Sequence, residues 1–278
     1  MEKFIKYVLA TILCAALTAT AFSQESDSDH FTIPLSDPSR EATVKVNIFN
    51  GSITVKGYDG KEIIVDIEYP GNRRPEKLHQ ADTTGLKRIA VSGVPAFDED
   101  NNTVTIRYNS LSNPAFFTLQ VPRHTTLVLN VATHGEIKIE QVHGEMEVNA
   151  ISGNVTLTDV AGSVVAHAMS GDVNVTLKEI DPGKPMSFSS MSGNIDVTFP
   201  EDLKANVSMS TINGGEIYSG FDIKVDSTRD RVAADDSEKE GGFGLKIGAG
   251  VKGSINGGGP EIQFRTYSGN IYIRKLSQ

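Results

Sequence analysis

His134 and His143 stand nine residues apart, and Asp172, Lys178 and Asp196 follow them; these are the side chains whose types could do chemistry. Two histidines at equivalent places invite a metal reading, because neutral imidazole is a good zinc ligand. Carboxylates near a lysine invite acid–base cleavage of a polysaccharide, which needs paired acids around the scissile bond. Gly-Asn and Gly-Asp turns invite calcium, which nonapeptide solenoids hold with a G-G-x-G-x-D unit. The sequence meets none of these demands. Only Asp172 follows its glycine; the corresponding residues elsewhere are Glu136, Glu145, Asn154 and Ser163. If one coil holds two nine-residue units, His134 and His143 fall on opposite edges, and His167 occupies a different place in the unit. Asp172, Asp196 and Lys178 read as solvated strand residues. The expectation is a non-enzymatic protein with no catalytic residue, no cofactor site and no metal ligand.

These residues sit on a repeat. Gly135, Gly144, Gly153, Gly162 and Gly171 are spaced by nine. Apolar residues follow each glycine at two and four positions: Ile137 and Ile139, Met146 and Val148, Val155 and Leu157, Val164 and Ala166, Val173 and Val175. A third apolar residue, Val142, Ile151, Val160 or Met169, comes seven after the first four glycines, and it is expected to point inward as well. Alternation of this kind is the signature of a strand with one buried face, and the glycine supplies the turn. Successive near-identical units predict coils that stack in register, with two long faces or three. The frame returns with insertions: Met186, Phe188 and Met191 before Gly193, Val207, Met209 and Ile212 before Gly214, and Ile262, Phe264 and Tyr267 before Gly269.

The fold class read from this is all-β, a parallel β-helix or β-solenoid over 126–278 with an irregular β-rich N-terminal cap over 24–125. In the cap, strands are expected at Ala42–Phe49, Ser52–Val55, Ile63–Glu68, Thr103–Tyr108 and Phe116–Val121. Asn50-Gly51 signals a hairpin between the first two. Gly71 to Thr84 reads as a long loop, and residues 226–242 read as a mobile charged loop.

The leader sets the compartment. Lys3 and Lys6 precede a short apolar run, and small residues at Ala19, Ala21 and Ser23 complete a cleavable signal peptide over 1–23, with Gln24 as the new N-terminus. Cys14, the one cysteine, lies inside that apolar run, so the mature chain has none and no disulfide. Export through the Sec pathway is expected, to the periplasm, the outer membrane or the exterior. A net charge of −9 argues against nucleic acid, which requires a basic face. No later segment is apolar for long enough to span a bilayer as a helix.

The Ser-Gly-Asn and Ser-Gly-Asp turns at Ser152–Val155, Ser170–Val173, Ser192–Ile195 and Ser268–Ile271 resemble those of the bacterial putative-adhesin domain family of unknown function. So do the segments Ile212-Asn213-Gly214-Gly215 and Ile255–Pro260, and the closing strand Ser268–Ile273. The resemblance implies an exported β-solenoid and carries over no catalytic residue. With it goes the expectation of an adhesin-like envelope or surface protein that binds a surface glycan or a protein through its solenoid face. A carbohydrate-active β-helix enzyme and a ligand-free structural envelope protein are the alternatives. Outward positions Thr156, Thr158, Asn174, Thr176, Ser187, Ser189, Ser208 and Ser210, with Tyr218, Tyr267 and Tyr272 near them, offer hydroxyl ladders and rings for a glycan.

Overall fold

The computed structural model describes residues 28–70, 93–133, 135–225 and 250–276. The expected signal peptide, the loop after Gly71, His134 and the charged segment 226–242 lie outside the described residues. Every described element is a strand. The N-terminal part holds β1 (Ser28–Pro34), β2 (Ala42–Tyr58), β3 (Glu62–Glu68), β4 (Ala96–Asp100), β5 (Thr103–Tyr108) and β6 (Ala115–Pro122). The repeat supplies β7 (Thr125–Thr133), β8 (Ile137–Glu140), β9 (His143–Ser152), β10 (Val155–Ser170), β11 (Val173–Ile180), β12 (Met186–Ser192) and β13 (Ile195–Phe199). The rest are β14 (Ala205–Thr211), β15 (Ile217–Ser219), β16 (Ile223–Val225), β17 (Gly250–Ile255), β18 (Glu261–Ser268) and β19 (Ile271–Lys275).

The coil has two sides. Ile137, Val155 and Val173 stand in parallel register one above another, so two nine-residue units make one turn of the solenoid. The front wall runs β5, the first arm of β2, β7, β9, the second arm of β10, β12, β18 and β14. The back wall runs β6, the second arm of β2, β8, the first arm of β10, β11, β13, β19 and β15. Parallel stacking therefore reaches into the N-terminal region, alongside the antiparallel capping strands β1, β3 and β4. At the other end β17 closes the front wall antiparallel to β14, and β16 pairs antiparallel to β17. Covering both ends in this way hides ladder groups that would otherwise pair with another chain.

Asn50-Gly51 makes no hairpin. Ala42 to Tyr58 is one strand whose two arms lie on opposite walls, and Gly51 is the corner between them. A glycine at positive φ serves a solenoid corner as well as a two-residue hairpin loop, so the dipeptide signal does not separate them.

Two segments, one early and one late in the described chain, are threaded into the stack. β2 lies between β5–β6 and β7–β8, although it precedes all four in sequence. The last strands, β18 and β19, lie between β12–β13 and β14–β15. The turn before β18 is pinned by Asn256 Nδ2, which donates to the Leu203 carbonyl at 2.8 Å.

Facing columns of apolar residues fill the space between the walls. On the front, Val46, Leu129, Val148, Ala166, Phe188, Phe264 and Met209 form one inward column, each 0–1% exposed. The small Ala166 gives way to a cluster in which Phe188 stacks on Phe264 at 5.4 Å and Phe199 meets both edge-on at 6.3 Å. Leu157, on the back wall, lies between Ile139 and Val175 and is 1% exposed. A carboxylate there would be buried without a partner, at several kcal/mol. Leu157→Asp is expected to lose the cooperative thermal transition seen by far-UV circular dichroism; a variant melting within a few degrees of the parent would show this wall to be open.

At the N-terminal end, Phe31 of β1 packs on Phe97 of β4 at 4.6 Å. Ser36 donates its hydroxyl and its backbone N–H to Glu99 at 2.8 and 3.1 Å, and these bonds hold the Glu99 carboxyl below its ordinary range. Asn102 ties the same loop by exchanging two 2.6 Å bonds with the Asp37 backbone.

Candidate binding face

The corner after the front wall is the most repetitive part of the molecule. At Gly153 a side-chain carbon would lie 2.1 Å from the Gly135 carbonyl oxygen, and Gly171, Gly193 and Gly269 repeat that approach one coil at a time. Beside the glycines runs a ladder of side-chain oxygens. Asn154 accepts from the Asp172 N–H at 2.9 Å and Asp172 from the Asn194 N–H at 2.7 Å. Asn194 in turn accepts from the Asn270 N–H, and Asn270 from the Glu216 N–H, each at 2.9 Å. Asp172 is thus a structural rung. Where the inward residue before the corner is a hydroxyl, it caps a glycine carbonyl: Ser190 on Gly171, Thr266 on Gly193 and Thr211 on Gly215.

The other chemistry-bearing residues do not converge. Asp196 accepts from the Arg274 guanidinium at 2.7 and 2.9 Å, and that pairing raises the Arg274 pKa. Lys178 pairs with Asp159 at 2.9 Å. His143 meets His124 edge-on at 5.4 Å, and His167 bonds the Ser189 hydroxyl at 2.8 Å on the front wall. Among the described residues no group of three or more histidine, cysteine, aspartate or glutamate side chains is placed to hold a metal ion.

The outward hydroxyls do not form one platform. Thr156, Thr158, Asn174 and Thr176 belong to the back wall, whereas Ser187, Ser189, Ser208 and Ser210 belong to the front. The tyrosines divide likewise. Tyr218 and Tyr272 stack face to face on the back wall at 5.2 Å, with Arg274 5.1 Å from the Tyr272 ring centre, while Tyr267 is on the front. The Tyr218 hydroxyl donates to Glu216, and the Tyr218 pKa is raised by that bond. On the back wall these ion pairs and the stacked tyrosines engage one another.

The front wall differs, and here the expected inward direction of the third apolar residue is overturned. Val142 and Val160 are fully buried, but Ile151 and Met169 are 47% and 43% exposed. Gln141 and Asp159 adopt positive φ of 58° and 57°, which shifts the alternation so that the next valine turns in. The alternate units have no such step: alternation continues, Ala150 and Ala168 go in, and Ile151 and Met169 come out. Met191, Tyr267 and Ile212 follow them outward at 51%, 47% and 42%, and Phe49 does so at 38%.

These side chains line up. Phe49, Ala132, Ile151, Met169, Met191, Tyr267 and Ile212 occupy the same place in successive coils. At a strand spacing of about 4.8 Å the column is about 29 Å long. Ala132 leaves a depression of about 300 Å³ bounded by Phe49, Asn130, Asn149 and Ile151. A second one, about 340 Å³, lies between His167, Met191, Ile212, Arg265 and Tyr267. A polar column runs beside the apolar one: Asn47, Asn130, Asn149, His167, Ser189, Arg265 and Ser210. Its asparagines bond along the column, Asn130 to Asn47 at 2.9 Å and Asn149 to Asn130 at 3.0 Å. Exposed side chains of this size leave on the order of 80 Å² each. Six of them leave roughly 500 Å², toward the upper end of the largest apolar patch on a typical monomer, a patch that is often functional.

The molecule is therefore a two-sided parallel β-solenoid with one polar wall and one apolar-striped wall. Residues 125–241 match the profile of the family described as Toastrack DUF4097, in keeping with the resemblance carried by the Ser-Gly-Asn turns. Two solved structures align over most of the chain. One is a putative cell adhesion protein from Clostridium sporogenes, 10% identical, TM-score 0.47, covering 91% of this chain and 100% of its own. The other is a putative adhesin from Bacteroides fragilis, 11% identical, TM-score 0.33, covering 90% of this chain and 97% of its own. No curated protein matches the sequence. Among the described residues no helix is long and apolar enough to cross a membrane.

Proposed function

We propose that this is a non-enzymatic, adhesin-like protein of the cell envelope or surface, which holds a glycan or protein partner on the front wall of its solenoid. The apolar column from Phe49 to Ile212 carries this reading, because bare apolar area of that extent marks an interaction surface. The leader over 1–23 supports export. The chemistry-bearing residues engaged as ladder rungs and ion pairs support a binding role over catalysis.

The test compares charge placed on the two walls. A labelled chain beginning at Gln24 is expected to bind intact cells of the producing organism. Met169→Glu with Met191→Glu should lower that binding at least tenfold, and Thr176→Glu on the back wall should leave it unchanged. Equal binding by all three, or none by the parent, would overturn the proposal. Export is checked by N-terminal sequencing of the protein recovered from envelope fractions.

A further inference from the structure

The front wall is complementary to itself, and we infer that its partner is a second copy of this chain, packed wall to wall with the coil order reversed. This inference rests on the reading of the front wall as the binding surface. The apolar column has seven places, and Met169 is the middle one. A two-fold axis parallel to the strands through the coil of Met169 lays each column on its own mate, running in the opposite direction. Met169 then faces Met169, Ile151 faces Met191, and Phe49 faces Ile212. The remaining pair sets Ala132, the one small residue of the column, against Tyr267, the largest. The depression at Ala132 is the place a tyrosine ring from the mate would enter.

The neighbouring columns fit the same operation. In the polar column Asn130 faces Arg265, Asn149 faces Ser189, Asn47 faces Ser210, and His167 lies on the axis beside its own mate. The third outward column of the wall contains Lys45, Val128, Glu147, Val165, Ser187, Gln263 and Ser208. There Lys45 meets Ser208, Glu147 meets Ser187, and Val165 lies on the axis against its mate. No lysine, arginine or glutamate of the three columns is set against a like charge, which would cost an isologous contact dearly. Keeping the coil order parallel would instead need a two-fold along the columns, which sets at most one column against its own copy and leaves Ala132 level with Ala132 rather than with Tyr267. The bare apolar area of roughly 500 Å², with polar columns beside it, approaches the ~800 Å² that each partner gives to a stable interface.

The absence of cysteine after Cys14 makes the arrangement directly measurable. In a chain beginning at Gln24, Met169→Cys is expected to cross-link to itself with a short bismaleimide. Phe49→Cys alone should not, since its two copies lie about 29 Å apart along the columns. An equimolar mixture of Phe49→Cys and Ile212→Cys should cross-link. Sedimentation should show a dimer for the parent and a monomer for Met169→Glu. Cross-linking of Phe49→Cys alone would overturn the reversed coil order. A parent that is monomeric at about 100 µM, well above the Kd of a standard interface, would overturn self-pairing altogether. If that monomer still binds cells, and Met169→Glu with Met191→Glu abolishes the binding, the front wall keeps its role and the second copy is excluded.

Discussion

Ending the chain at Gly259 is expected to abolish cooperative folding, although it removes less than a tenth of the sequence. In a plain solenoid the last coil is an end piece, and its loss exposes one face. Here β18 and β19 are an interior coil with ladders on both sides. Their loss removes Ile262, Phe264, Ile271 and Ile273, each 0–1% exposed, and uncovers Phe188 and Val197 on one side and Met209 on the other. At ~1.5–3 kcal/mol per large buried side chain, the four alone account for about 6–12 kcal/mol. That is comparable to the whole stability of a domain, about 5–15 kcal/mol. Circular dichroism of a purified 24–259 chain should show no sigmoidal melt. A chain beginning at Leu35, which lacks β1, should melt cooperatively, because β1 pairs on one side only, with β3. A 24–259 chain melting within a few degrees of the parent would mean that the gap between β13 and β15 closes unaided.

Gly153→Val is the second large effect. The new side-chain carbon would stand 2.1 Å from the Gly135 carbonyl oxygen, against backbone that is itself bonded into the ladder. The φ of +132° adds strain for any L side chain. The collision and the strain together cost about 3 kcal/mol or more, which for a chain of this size lowers Tm by roughly 10 °C. Gly250→Ala is the contrast: its nearest neighbour is the Met209 carbonyl oxygen at 3.8 Å, and the melt should scarcely move. Equal effects at the two positions would show that the corner has no special tightness.

The repeat was readable because its causes are local. A glycine every nine residues and apolar residues two and four later identify the buried strands, and Ile137, Val155, Leu157, Val173 and Phe188 are all buried as expected. The exposed apolar column was hidden by a contest between neighbours. In Ala150-Ile151 and Ala168-Met169 the larger residue looks like the core residue, yet the strand keeps its alternation and buries the alanine. A signal did exist: the units that bury the residue at the seventh place carry Gln141 or Asp159 before it, and the units that expose it carry alanine. What depends on distant pairing left no local trace. Nothing in residues 261–275 announces that they fill a gap left between strands ending at Phe199 and beginning at Ala205.

The threaded strands β18 and β19 also decide how the molecule bears load. A solenoid pulled from a free terminal coil peels apart one ladder at a time, at low force. Tension applied at Lys275 meets β19 held between β13 and β15, and β18 behind it held between β12 and β14, so two ladders on each wall must give way together. The chain grips its own late strands, and pulling at Lys275 must shear that grip before any coil peels away.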